Sequence, residues 1–139
     1  RSSQDPHICA RRSSSVPCAR ALFLRPLPVS GIFESDFVSG NMSYADRQTH
    51  AGIFTLYYKK SPDVLRGGQK GTANYYEQPV QYWMPFDGGI GFHDADWRDE
   101  FGGDIYRTSG SHGCINLPPE NAAVLYDLIQ YDVPIVCFY

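Results

Sequence analysis

From Glu34 onward the chain is a series of short apolar runs separated by turn residues, which is the rhythm of strands rather than helices. Ser35-Asp36-Phe37-Val38-Ser39-Gly40 predicts a strand running into a turn. Ala51 to Tyr58 is dense in β-formers and stops at Lys59-Lys60. Residues 61–78 contain Ser-Pro-Asp and Arg-Gly-Gly and predict an irregular connection. Pro79 to Phe86 predicts one aromatic and apolar strand, with Asp87-Gly88-Gly89 as the hairpin turn and Ile90 to His93 as the return. Residues 94–110 are polar and predict a loop. One helix is predicted after Asn116. Pro118-Pro119 suits its first turn, Glu120 suits its positive end, and Ala122, Ala123, Leu125, Tyr126, Leu128 and Ile129 form its apolar face, up to Tyr131-Asp132. Val133 to Tyr139 predicts a closing strand, and there are no internal repeats.

Composition sharpens this picture. The 139 residues suit one domain, and 13 Gly with 10 Pro imply many turns. The predicted class is therefore mainly β. Residues 1–33 differ in kind: they are basic, Ser-, Arg- and Pro-rich and without period, and they predict a linker-like or disordered segment. That stretch holds five Arg and one acid, while residues 34–139 hold seven basic and fourteen acidic residues. An acidic body argues against nucleic acid as partner. No run of about 18 apolar residues is present, so membrane attachment is expected only through an anchor upstream of Arg1.

Four cysteines, Cys9, Cys18, Cys114 and Cys137, show no zinc spacing, although Cys9 and Cys18 could pair under oxidising conditions. Cys137 lies in an apolar run and predicts a buried strand residue. Cys114 lies in Ser111-His112-Gly113-Cys114-Ile115-Asn116, which is poor text for a core strand and good text for a reactive thiol. Imidazoles and helix N-termini favour the thiolate. Successive N–H groups of His112, Gly113 and Cys114 predict an oxyanion nest. His93, at the end of a predicted strand and followed by acids, is the candidate base.

These residues resemble a known family. His93 with Ser111-His112-Gly113-Cys114-Ile115-Asn116 fills the signature of the L,D-transpeptidase catalytic domain, also called the YkuD domain, and Thr49-His50-Ala51-Gly52-Ile53-Phe54 matches its upstream motif with His50 in place of Pro. The resemblance covers residues 34–139. It implies a β-sandwich with one short helix after Cys114, and acyl transfer on peptidoglycan stem peptides. Cys114 would attack the third stem residue, D-Ala would leave from position four, and a neighbouring stem amine would take the acyl group to give a 3→3 cross-link. The same resemblance implies carbapenem β-lactams as acylating inhibitors, an extracytoplasmic location at the cell wall or the outer face of the cytoplasmic membrane, and no metal or organic cofactor. Residue roles follow: Cys114 as nucleophile, His93 as base, the backbone carbonyl of Asp94 orienting His93, and His112, Gly113 and Cys114 as N–H donors. Ser111, Asn116, Arg107 and Asp94 are candidate substrate-side residues, with Arg107 expected to meet a carboxylate. Tyr82, Trp83 and Trp97 are candidate pocket walls, although Tyr75, Tyr76, Tyr82 and Trp83 fit the core better than a substrate platform.

Two departures stand out. The opening strands of the family are missing from residues 1–33, which predicts poor order there. His50 is expected as a surface residue. Three rival functions remain at the level of sequence: an L,D-carboxypeptidase or endopeptidase on the same scaffold, a zinc hydrolase using His93, Asp94, His112 and Cys114, and a wall-binding module without catalysis.

Overall fold

The computed structural model describes residues 33–138. The expectation for residues 1–33 therefore lies, apart from Phe33, outside the described residues. Among the described residues, seven strands form three small sheets. β1 (Gly52–Phe54) pairs with β7 (Ile135–Cys137), and β2 (Asp63–Gly67) pairs with β3 (Tyr76–Val80). The central sheet is β4 (Trp83–Asp87), β5 (Ile90–Asp94) and β6 (Ile115–Leu117), with β5 in the middle. β4 and β5 are antiparallel across a two-residue turn, and Gly88 holds a φ of 54° there, which accounts for Gly at that position. β5 and β6 run parallel, so the chain must cross over between them.

That crossover is residues 95–114, and it ends in the turn that carries Cys114. The sequence predicts residues 94–110 as loop, but they carry a short helical turn, α1 (Ile105–Thr108), whose Tyr106 is buried. The main helix is α2 (Pro119–Leu128), which begins where two prolines allow a start and no interior N–H is lost. It ends earlier than Tyr131. Lys59 Nζ reaches the carbonyls of Tyr126 (2.7 Å) and Ile129 (3.2 Å), so a cation caps the negative end of the helix.

Ala122, Leu125 and Ile129 turn inward from one helix face onto Met84, Phe86, Phe92, Ile115, Leu117 and Ile135. This cluster is the core, and each fully buried large apolar side chain contributes roughly 2–3 kcal/mol. Cys137 is only half-buried at the end of β7, against the expectation of burial.

Other boundaries also moved. The expected strand over residues 51–58 is ladder only at Gly52–Phe54. Tyr57 and Lys60 instead bond Pro85 and Trp83, covering the outer edge of β4. The expected connection 61–78 holds β2 and the start of β3, and the run Pro79–Phe86 breaks at Gln81-Tyr82 into two strands. β2 and β3 are largely polar and half-exposed, so their alternation is invisible in hydropathy. The expected strand at 35–40 makes only isolated bridges. Val38 pairs with Asn116 and Gly40 with Ser111, so this segment closes the free edge of β6.

Candidate active site

His93 and Cys114 come together through strand register. His93 lies opposite Asn116 in the parallel ladder, and Cys114 lies two residues before Asn116. Side chains alternate along strands, so Asn116, Cys114 and His93 share one face. Phe92 and Ile115 occupy the other face, in the core. Both His93 and Cys114 line a cavity of about 300 Å3 that also includes Tyr76, Trp97, Arg98 and Asn116.

The His93 ring is buried and fixed. Nδ1 lies 2.7 Å from the carbonyl oxygen of Asp94, so Nδ1 carries the hydrogen and Nε2 keeps its lone pair. Trp97 stacks on the ring at 5.8 Å, and Trp83 flanks it at 6.1 Å from the neighbouring strand. Burial lowers the proton affinity of His93 below the usual imidazole value. The Asp94 carbonyl opposes that change, and the charge of Arg98 adds to it. The imidazole therefore favours its neutral form.

Burial pushes the Cys114 thiol up to about 11, against a smaller opposing pull from the Gly91 N–H. Its Sγ donates a long hydrogen bond (3.5 Å) to the Gly89 carbonyl at the β4–β5 turn. The pair is thus a neutral thiol beside a neutral imidazole. Such a pair favours the thiol and the free imidazole over a preformed thiolate–imidazolium pair.

The turn before Cys114 is stapled from several sides. Ser111 Oγ accepts from the Gly113 N–H (3.0 Å) and donates to the Cys114 carbonyl (2.5 Å). Thr49 Oγ1 donates to the Gly113 carbonyl (2.7 Å) and accepts from the Gly40 N–H (2.9 Å). Gly113 has a φ of 121°, and a Cβ there would stand 3.2 Å from Ile90 Cγ1. Only Gly takes that conformation without strain.

Several expectations need correction. The Gly113 N–H is occupied by Ser111, so it leaves the expected donor set, and the Ser111 hydroxyl gives its one hydrogen to the turn and not to a ligand. Asp94 offers its carbonyl to His93 as expected, but its carboxylate does not face substrate. Adjacent strand residues point to opposite faces, and the Asp94 oxygens accept the N–H groups of Tyr82 (2.7 Å) and Gln81 (3.0 Å). The zinc alternative fails on the same geometry: among the described residues no three His, Cys, Asp or Glu side chains are grouped as a metal site. Arg107 pairs with Asp104 at 3.0 Å on an exposed turn and does not line the cavity. Tyr82 packs on Tyr126 at 5.2 Å instead of forming a cavity wall. Trp83 is buried, in keeping with the core reading, and flanks His93 from the interior without lining the cavity. Tyr76, expected in the core, is exposed at the cavity rim and faces the His112 ring at 5.7 Å. His50 is exposed at the surface, with Nδ1 2.6 Å from Asp87. Asn116 does line the cavity, and its Oδ1 is buried without a partner, which suits an incoming N–H.

The profile of the L,D-transpeptidase catalytic domain (YkuD) matches residues 30–137. The chain belongs to that family. A cysteine-to-serine mutant of the Enterococcus faecium L,D-transpeptidase is 42% identical, with a TM-score of 0.67 over 76% of this chain and 41% of that one. The E. faecium catalytic domain acylated by ertapenem is 41% identical, with a TM-score of 0.63 over 76% of this chain and 80% of that one. An L,D-transpeptidase from Mycobacterium smegmatis is 26% identical, with a TM-score of 0.62 over 77% and 49%. This YkuD chain thus spans about two-fifths of the longer E. faecium enzyme and about half of the mycobacterial one. No match was found among curated proteins.

Two site residues escaped sequence reasoning. Thr49 was seen as motif text, not as the anchor of the Gly113 carbonyl. Arg98 was hidden in an acidic loop, where no signal in the sequence set it apart from Arg107.

Proposed function

We propose that this domain, residues 34–139, is a peptidoglycan L,D-transpeptidase that works outside the cytoplasm and is acylated by carbapenems. One observation carries the reading: the Nδ1 of His93 is held by the Asp94 carbonyl, leaving Nε2 as an acceptor on the strand face that carries Cys114. The Cys114 proton passes to Nε2 as sulfur bonds the carbonyl carbon of the third stem residue. The oxyanion is met by the N–H groups of His112 and Cys114. The carbon–nitrogen bond breaks, the imidazolium gives its proton to the departing D-Ala amine, and a thioester remains. A neighbouring stem amine then attacks the thioester and loses a proton to His93, which returns it to the departing sulfur. The E. faecium catalytic domain acylated by ertapenem supports this chemistry by kinship.

Intact-protein mass spectrometry after exposure to a carbapenem tests the proposal. Wild type gains one adduct and Cys114→Ala gains none. An adduct on both, or on neither, overturns it. Product analysis from a tetrapeptide donor with an acceptor stem then separates cross-linking from simple hydrolysis.

A further inference from the structure

Building on that acyl transfer, we propose that Arg98 binds the free carboxylate of the donor's terminal residue, and so selects donors that end one residue beyond the scissile bond. Arg98 lines the same cavity as His93 and Cys114. Its Nη1 donates to the Ser109 carbonyl at 2.9 Å, which props the side chain in place, while its Nε is buried without a partner.

Among the described residues no carboxylate lines this cavity, and none of their ion pairs includes Arg98. Its sequence neighbour Asp96 lines a different depression beside β2 and β3. Burial disfavours the charge on Arg98 with no acid to offset the effect. A guanidinium stays charged under such conditions, so the cavity holds a cation that lacks a counter-ion among the described residues. Its charge is also felt at the His93 ring, which places it near the reacting bond.

The chemistry of the donor supplies what is missing. In a tetrapeptide stem, the terminal α-carboxylate is two bonds from the scissile nitrogen. A cation beside the Cys114–His93 pair is therefore within reach of it. In a stem one residue longer, that carboxyl is tied up as an amide and carries no charge. Arg107, which the sequence suggested for this task, is bound to Asp104 away from the cavity.

The test compares two donors, the tetrapeptide with a free D-Ala terminus and the same peptide ending in D-alaninamide. Release of D-Ala or D-alaninamide is followed by mass spectrometry. Wild type should favour the acid in kcat/KM by roughly tenfold to a hundredfold, the range of a hydrogen bond to a charged group. Arg98→Gln should bring the ratio to within about threefold, mainly by losing the acid donor, and Arg98→Lys should keep part of the preference. Near-unity preference in wild type, or an unchanged ratio in folded Arg98→Gln, overturns the assignment. If Arg98→Gln does not fold, an unchanged ratio in Arg98→Lys does so. Release of neither product by wild type would instead sink the acyl-transfer reading itself.

Discussion

His93 points Nδ1 at the carbonyl oxygen of Asp94, the residue that follows it, across 2.7 Å. A single peptide unit thus fixes the tautomer of the base, and no side-chain carboxylate takes part. With the thiol at about 11, the thiolate fraction near pH 7 is on the order of one in ten thousand. Thiol protonation is favoured below that value and lost above it. Iodoacetamide labelling of Cys114 should therefore rise about tenfold per pH unit from pH 7 to pH 10. A plateau below pH 8 would show a preformed ion pair instead.

Replacing His93 by Ala should slow acylation by an ester donor by about a hundredfold or more, the usual contribution of a positioned base. Because burial lowers the His93 pKa, the acid limb of the wild-type rate should fall below the usual imidazole value of 6.5. Stopped-flow acylation across pH 4–8 checks both.

Thr49→Val should cost about 2 kcal/mol in urea unfolding. It strands the Gly40 N–H and the Gly113 carbonyl, both held by one hydroxyl. Thr49→Ser should recover most of that loss.

Asp94→Ala should destabilise the domain by about 3 kcal/mol, because two backbone N–H groups lose a charged acceptor. Its carbonyl remains, so acylation by the folded fraction should change less than tenfold. A loss as deep as that of His93→Ala would return the carboxylate to the mechanism.

Gly113→Ala should combine roughly 1–3 kcal/mol of backbone strain with a displaced Cys114. Thermal denaturation reads the first effect and carbapenem acylation the second.

Sequence made the chemistry more legible than the architecture. Cys114 and His93 announced themselves through neighbours that no core strand would choose, and the hairpin at Gly88-Gly89 and the helix after Pro118 were plain in the turn and cap residues. β2 and β3 were not, because a hairpin wet on much of its surface has no hydrophobic contrast. The role of Asp94 was half legible. Its carbonyl followed from the family motif, whereas strand alternation alone would have turned its carboxylate away from His93. Arg107 and Arg98 could not be ranked from sequence, since only the fold decides which one meets the cavity.

The threads that secure the nucleophile turn come from far away in the chain. Thr49 reaches Gly113 across 64 positions, and Asn41 Nδ2 reaches the Thr108 carbonyl across 67. Contacts of such sequence separation form slowly, since long loops must close first. The sulfur consequently acquires its surroundings only when these distant segments have met. A nascent or truncated polypeptide lacking the first of these segments would carry the complete Ser-His-Gly-Cys text and still hold an ordinary, unassisted thiol.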